Sequence, residues 1–195
     1  PRVLRLIEFL HRLRNEEGLL EKLPNWVFVE WSKANEWVQD VNFPSNMLYA
    51  RALEVAGRLY DLPELGAEAE RVRGRIRQLA FDGSFFVDNA VRRDGRLVVT
   101  GNRSEVGQYF AFFFDVATPA SHPELWRVLR DEFGPQRKRT GAHSAIAPAN
   151  AFVGNVLRLE ILSRYWRCQQ TLDESVGYLL YMADKTGTLW ENDGD

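Results

Sequence analysis

Ser104-Glu105-Val106-Gly107-Gln108-Tyr109-Phe110-Ala111-Phe112-Phe113-Phe114-Asp115-Val116 is the stretch on which the fold turns. A Ser followed by a Glu reads as a helix start, with the hydroxyl at the N-cap and the carboxylate favoured by the positive end of the helix dipole. Val106, Tyr109, Phe110, Phe112, Phe113, Phe114 and Val116 then leave almost no polar face. A helix apolar nearly all round is buried on most sides.

Its neighbours alternate in character. Upstream, Val3, Leu6, Ile7, Leu10 and Leu13 recur at three and four residues, one helical stripe. Pro44-Ser45-Asn46 opens a second helix with the stripe Leu48, Ala52, Val55 and Leu59. After the turn Asp61-Leu62-Pro63 comes an amphipathic helix, with Leu65, Ala69, Val72, Ile76 and Leu79 inside and charges outside. Downstream, an amphipathic helix runs through Trp126, Leu129 and Phe133. A polar loop from Gly134 to Pro148 leads to an apolar one through Phe152, Val153, Val156, Leu157, Leu159, Ile161 and Leu162. A last helix carries Leu172, Val176, Leu179, Leu180 and Ala183. Between helices, Trp26-Val27-Phe28-Val29 reads as a short extended piece. Phe85-Phe86-Val87 and Leu97-Val98-Val99, around Asp94-Gly95, read as a small β-hairpin.

Alternating buried and amphipathic helices with short turns predict an all-α, α/α toroid: inner helices bury every side, outer helices one, and the loops at one rim build the site. A solenoid would repeat its sequence every ~34–47 residues, and no such repeat is present.

The remaining composition excludes more than it assigns. With 25 Lys and Arg against 27 Asp and Glu, the net charge of −2 gives no basic field for nucleic acid. The one basic run, Arg137-Lys138-Arg139, reads as a solvated loop. No apolar run of about 18 residues exists to span a membrane. Cys168, the only cysteine, reads as structural. His143 has no second ligand at metal spacing, and His11 and His122 stand alone, so neither a metal nor another cofactor is expected.

The chemistry-bearing candidates are aromatic and acidic. Trp26, Glu30, Trp31 and Trp37 crowd one loop bounded by Pro24 and Pro44. They form either an aromatic mini-core or a platform on which a pyranose ring stacks beside a carboxylate. Glu105 and Gln108 lie three apart on the apolar helix, either as its cap or as ligand groups, since a buried Glu needs a partner. Glu191 follows Trp190 after a Lys185-Thr186-Gly187 break, where a carboxylate could move a proton to or from water.

These segments together resemble the catalytic domain of the α-L-rhamnosidase-like six-hairpin glycoside hydrolases. Asn25-Trp26-Val27-Phe28-Val29-Glu30-Trp31 is similar to a family Trp-x-Phe-x-Asp-Trp loop, with Glu30 in place of Asp. Ser104 to Ala111 is similar to a Thr/Ser-Glu-x-x-Gln-Tyr helix start. Pro148-Ala149-Asn150-Ala151-Phe152 is similar to the start of a late inner helix. Met182 to Glu191 resembles the family's last motif, with Lys185-Thr186-Gly187-Thr188 where a Gly-Ala-Thr-Thr run is usual.

The resemblance implies an (α/α)6 barrel, here incomplete. The chain reads as about seven helices, roughly half of a barrel, in one partial catalytic domain over residues 1–195. It implies inverting hydrolysis of a terminal α-L-rhamnoside, with Glu191 as general base and Trp26, Glu30, Trp31, Glu105, Gln108 and Trp190 on the substrate. The general acid lies upstream in the family, so the isolated chain is expected to be inactive, and the rest of its own barrel is its expected partner. The other readings are a related toroid enzyme for another glycoside or an unsaturated uronide, and a non-catalytic sugar-binding scaffold.

Overall fold

A computed structural model describes residues 2–190, and for Lys138 the backbone alone. Glu191 lies outside the described residues. The helices are α1 (Arg2–His11), α2 (Phe43–Tyr60), α3 (Pro63–Ala80), α4 (Glu105–Phe113), α5 (Pro123–Asp131), α6 (Arg137–Thr140), α7 (Val153–Arg164), α8 (Cys168–Ser175) and α9 (Tyr181–Thr186). A π turn, Val176–Leu180, joins α8 to α9, so the two form one continuous run.

The strands β1 (Val41–Asn42), β2 (Asn89–Arg93) and β3 (Arg96–Val99) form an antiparallel sheet in the order β1-β2-β3. Asp94 and Gly95, at φ 50° and 77°, turn β2 into β3 as the Asp-Gly pair requires. The hairpin thus falls where the sequence predicts it, although its first strand starts at Asn89 rather than at Phe85. Phe86 instead makes an isolated bridge to Phe81. The extended piece expected at Trp26–Val29 forms no strand.

The molecule is an incomplete α/α toroid. Helix α4 is its centre: every residue from Glu105 to Phe112 is buried. Ser104 caps it, accepting the Gly107 N–H at 3.0 Å. On one flank α2 packs against α4, and on the other α7 does. The outer helix α3 packs along α2, burying Leu65, Ala69, Val72 and Ile76. The approach is close enough that a Cβ on Gly57 would lie 2.9 Å from the Leu62 carbonyl, so that position accepts only Gly. The α5 residue Trp126 sits between Phe112 of α4 and Tyr165, with ring centroids 5.6 and 5.0 Å away.

Arg158 ties these layers from inside. Fully buried, it donates to Glu174 at 2.6 Å, to the Arg130 carbonyl at 3.0 Å and to the Leu129 carbonyl. Those carbonyls are the C-terminal end of α5, where a cation is favoured.

Four expectations are corrected. The α2 stripe Leu48, Val55 and Leu59 is exposed, and the opposite face with Met47, Ala50, Leu53 and Ala56 is the buried one. A helix apolar on both sides carries two stripes, and periodicity cannot choose between them. Likewise Leu172, Val176 and Leu180 are exposed on the last helical run, and Met182 is its buried residue. Cys168 is exposed at the start of α8. Arg137 is not solvated: it is 4% exposed, paired inside the protein.

Candidate functional site

The loops at one end of α4 and α7 enclose an open cavity of about 1020 Å³. Glu30, Trp31 and Trp37 form one wall, Asn102 and Arg103 another, and Arg137 with the 141–148 segment a third.

The first wall is built by the loop that the sequence singles out. Trp26, Phe28 and Trp31 form one ring cluster, with centroids 4.9 to 5.8 Å apart. Trp31 lines the cavity, whereas Trp26, 69% exposed, does not reach it. The loop is bolted to the segment that leads into α7. The Glu30 carboxylate accepts the Gly154 N–H at 2.6 Å, and the Asn150 side chain donates to the Trp31 carbonyl. Gly154 is required here, because a Cβ would stand 2.5 Å from Glu30 Oε1.

Glu30 is fully buried, and its Oε2 has no hydrogen-bond partner among the described residues. Burial pushes its carboxyl up to about 7, opposed by the Gly154 N–H and by the nearby Ser32 side chain and Asn150 N–H. A carboxyl in that state at neutral pH can both donate to and accept from a hydroxyl.

Glu105 and Gln108 are held differently. Glu105 Oε1 accepts from the Tyr109 hydroxyl and from Gly134 N–H at 2.8 Å. Its Oε2 accepts from Arg137 at 2.6 Å and from Ala149 N–H at 3.2 Å. Four donors fill the acceptor sites of a carboxylate. Glu105 borders a separate void of about 20 Å³ rather than the large cavity. Gln108 exchanges bonds with the backbone of Phe86, at 2.8 Å each way, and donates to the Ser104 carbonyl at 2.9 Å. Glu105 therefore organises the wall from behind through Arg137, and Gln108 ties the Phe86 segment to α4.

Trp190 is half-buried away from the cavity, edge-on to Tyr181 at 5.5 Å, its indole N–H on the Thr186 hydroxyl at 2.6 Å. Of the sequence candidates, Glu30 and Trp31 meet on the cavity wall. Trp26 and Trp190 stand off it, and Glu191 is not described.

Three buried residues that hold the framework around the cavity escape the sequence reading. Arg137 hides in a basic run, and its partner Glu105 is 32 residues away. Asn150 lies in a segment singled out only for its helix start. Asp88 has no signal of its own. It is buried under the α4 cap, where it accepts the Ser104 hydroxyl at 2.6 Å. Burial drives its carboxyl up to about 7, against the hydrogen bonds from Ser104.

No protein-family model matches this chain, and no curated protein matches it by sequence. Solved structures do match it in shape. A GH78 family rhamnosidase of Bacillus sp. GL1 aligns over 98% of this chain and 20% of its own, with a TM-score of 0.80 and 18% identity. A rhamnosidase from Klebsiella oxytoca, solved with rhamnose bound, aligns over 97% of this chain and 34% of its own, with a TM-score of 0.66 and 16% identity. The likeness is one of fold, an incomplete helical toroid of the kind those rhamnosidases contain, and the chain spans a minor part of their length.

Proposed function

We propose that this chain forms one side of the catalytic toroid of an inverting glycoside hydrolase acting on terminal α-L-rhamnosides. The observation that carries the reading is the pairing of Glu30 and Trp31 on the cavity wall, in a rhamnosidase-like toroid. An indole offers its face to the C–H side of a pyranose. Beside it, Glu30 Oε2, closed to solvent here and without a hydrogen-bond partner among the described residues, meets a sugar hydroxyl only where the loop yields to the ligand. A buried polar atom without a partner is costly, so a ligand that supplies one is favoured.

In this reading Glu191 is the general base. It takes a proton from the water that attacks the anomeric carbon, while a general acid on another part of the barrel protonates the leaving oxygen. Inversion requires the two carboxyl groups to stand roughly 6.5–9.5 Å apart, with that water between base and sugar. Glu105, through Arg137, Gly134 and Ala149, keeps the facing wall in register, and Gln108 does the same for Phe86.

A second reading, a sugar-binding scaffold without catalysis, draws on the full engagement of Glu105 by protein donors. Both readings are tested by L-rhamnose binding followed through tryptophan fluorescence. Saturable quenching that disappears in Trp31→Ala and weakens in Glu30→Gln supports a sugar site. An unchanged response in both variants refutes it. Turnover of an α-L-rhamnoside by a protein holding this chain in a complete toroid then separates hydrolase from scaffold.

A further inference from the structure

The cavity is larger than one pyranose fills, at the upper end of the ~300–1,000 Å³ range of pockets that enclose drug-sized ligands. Its wall continues past Trp31 to a second indole, Trp37, which the reaction above does not use. A single 3-10 turn, Lys33–Glu36, separates the two. Ser32 caps the turn by accepting the Ala34 N–H at 3.3 Å, and the Trp37 N–H closes it on the Ala34 carbonyl at 3.2 Å. The Trp37 carbonyl in turn accepts the Asn42 side chain at 3.1 Å, and Asn42 caps α2. The ring therefore stands on a braced turn, half-buried, and lines the cavity with Lys33, Asn35 and Glu36.

Polar groups gather around it. The Lys33 ammonium lies 5.8 Å from the ring centroid. Asn35 uses its Oδ1 on the Val29 N–H at 2.9 Å, which turns its amide N–H groups outward from that bond. Asn102, which lines the same cavity, donates its amide to Asn89 at 2.9 Å, leaving its own Oδ1 as an acceptor among the described residues. The charges nearly cancel. Arg103 is paired with Asp82 at 2.5 Å, Arg137 with Glu105 at 2.6 Å, and Lys33 shares its turn with Glu36. A cavity lined by an indole and by the amides of Asn35 and Asn102, its cations matched by carboxylates, suits an uncharged polyhydroxylated ring better than an anion or an apolar group.

We infer that Trp37 carries a second sugar position, for a neutral pyranose adjoining the terminal one at Glu30 and Trp31, so that the ligand is an oligosaccharide rather than an aryl rhamnoside. This inference rests on the rhamnoside reading of the Glu30–Trp31 end. It gives the loop a division of labour: Trp31 serves the terminal sugar, and Trp37, one turn later, serves its neighbour.

The test is saturation-transfer NMR on the 195-residue chain, with methyl α-L-rhamnopyranoside and with a methyl rhamnosyl-glucoside disaccharide. The disaccharide should bind about tenfold tighter, the gain of roughly one good contact, and its glucose protons should receive saturation. Trp37→Ala should remove that gain while leaving methyl rhamnoside binding unchanged. Trp37→Phe, which keeps a ring to stack on, should retain most of it and guards against a loss caused by loop collapse. Equal binding of the two ligands, or a gain that survives Trp37→Ala, overturns the second position and leaves the rhamnoside reading intact. Failure of both ligands to bind overturns both.

Discussion

Glu30 and Glu105 hold the same stretch of chain from two sides: Glu105 accepts the Ala149 N–H at 3.2 Å, and Glu30 accepts the Gly154 N–H at 2.6 Å. The stretch between them leads into α7 and contains Asn150, whose side chain fixes the Trp31 carbonyl. Two buried carboxylates from distant parts of the chain thus set where the aromatic wall stands. A disturbance at this junction should reach the cavity before it reaches the helices.

Gly154→Ala tests that coupling. Its Cβ would lie 2.5 Å from Glu30 Oε1 and 2.6 Å from the Ala149 side chain. Either Glu30 or the lead into α7 must shift, at a cost on the order of 1–3 kcal/mol. Thermal unfolding should register the loss, and the near-UV circular dichroism of the tryptophans should change with it. Gly66→Ala in α3, where the added Cβ meets nothing within 4 Å, is the control. It should be neutral or stabilising by up to about 1 kcal/mol through helix propensity.

Glu105→Gln should be more damaging than a surface change of the same kind. Glu105 and Arg137 are both 3% exposed at their side chains. Removing one charge leaves the other buried, which costs about 3–5 kcal/mol in comparable pairs. Urea unfolding measures it. A loss below about 1 kcal/mol would mean that the carbonyls of Ala142, His143 and Ile146 satisfy Arg137 without Glu105.

Stability should fall as pH rises toward neutrality. Asp88 and Glu30 both have folded-state carboxyls raised to about 7 by burial. A raised carboxyl holds its proton in the folded chain after the unfolded chain has lost it. Its contribution is therefore complete below the ordinary carboxylate range and is lost between about 4 and about 7. Glu21, Glu54 and Asp82, lowered by Arg92, by Arg73 and Arg51, and by backbone and Arg103 hydrogen bonds, act in the opposite sense below that window. The melting temperature should accordingly be higher at pH 5 than at pH 8. Asp88→Asn keeps an oxygen for the Ser104 hydroxyl without the buried charge. It should flatten this slope and stabilise the chain at pH 8, by on the order of 1–3 kcal/mol. An unchanged pH profile in Asp88→Asn would assign the slope to Glu30.

Much of this was legible in the residues. The all-round apolar run after Ser104 predicts a buried central helix, and α4 is one. Asp94-Gly95 predicts the hairpin turn. The loop from Trp26 to Trp37 is recognisable as aromatic and acidic. Which of its rings faces a cavity is a tertiary matter: Trp31 does, and Trp26 turns outward. The α2 stripe misleads because an inner helix has apolar residues to spare on both faces. Arg137 and Glu105 mislead because each looks locally like something ordinary, a charged loop and a helix cap. Glu30 and Gly154 are 124 residues apart, and no pattern of short range joins them.

Glu191, proposed as the base of an inverting hydrolase, is the residue on which that proposal stands or falls. The direct measurement is proton NMR of the first-formed sugar released from an α-L-rhamnoside by a protein that holds this chain in a complete toroid, compared with its Glu191→Gln variant. β-L-rhamnose should be the first product, and kcat should fall by about 10²–10⁴-fold in the variant, because an amide cannot take the water's proton. First-formed α-L-rhamnose, or an unchanged kcat in Glu191→Gln, would contradict the proposal.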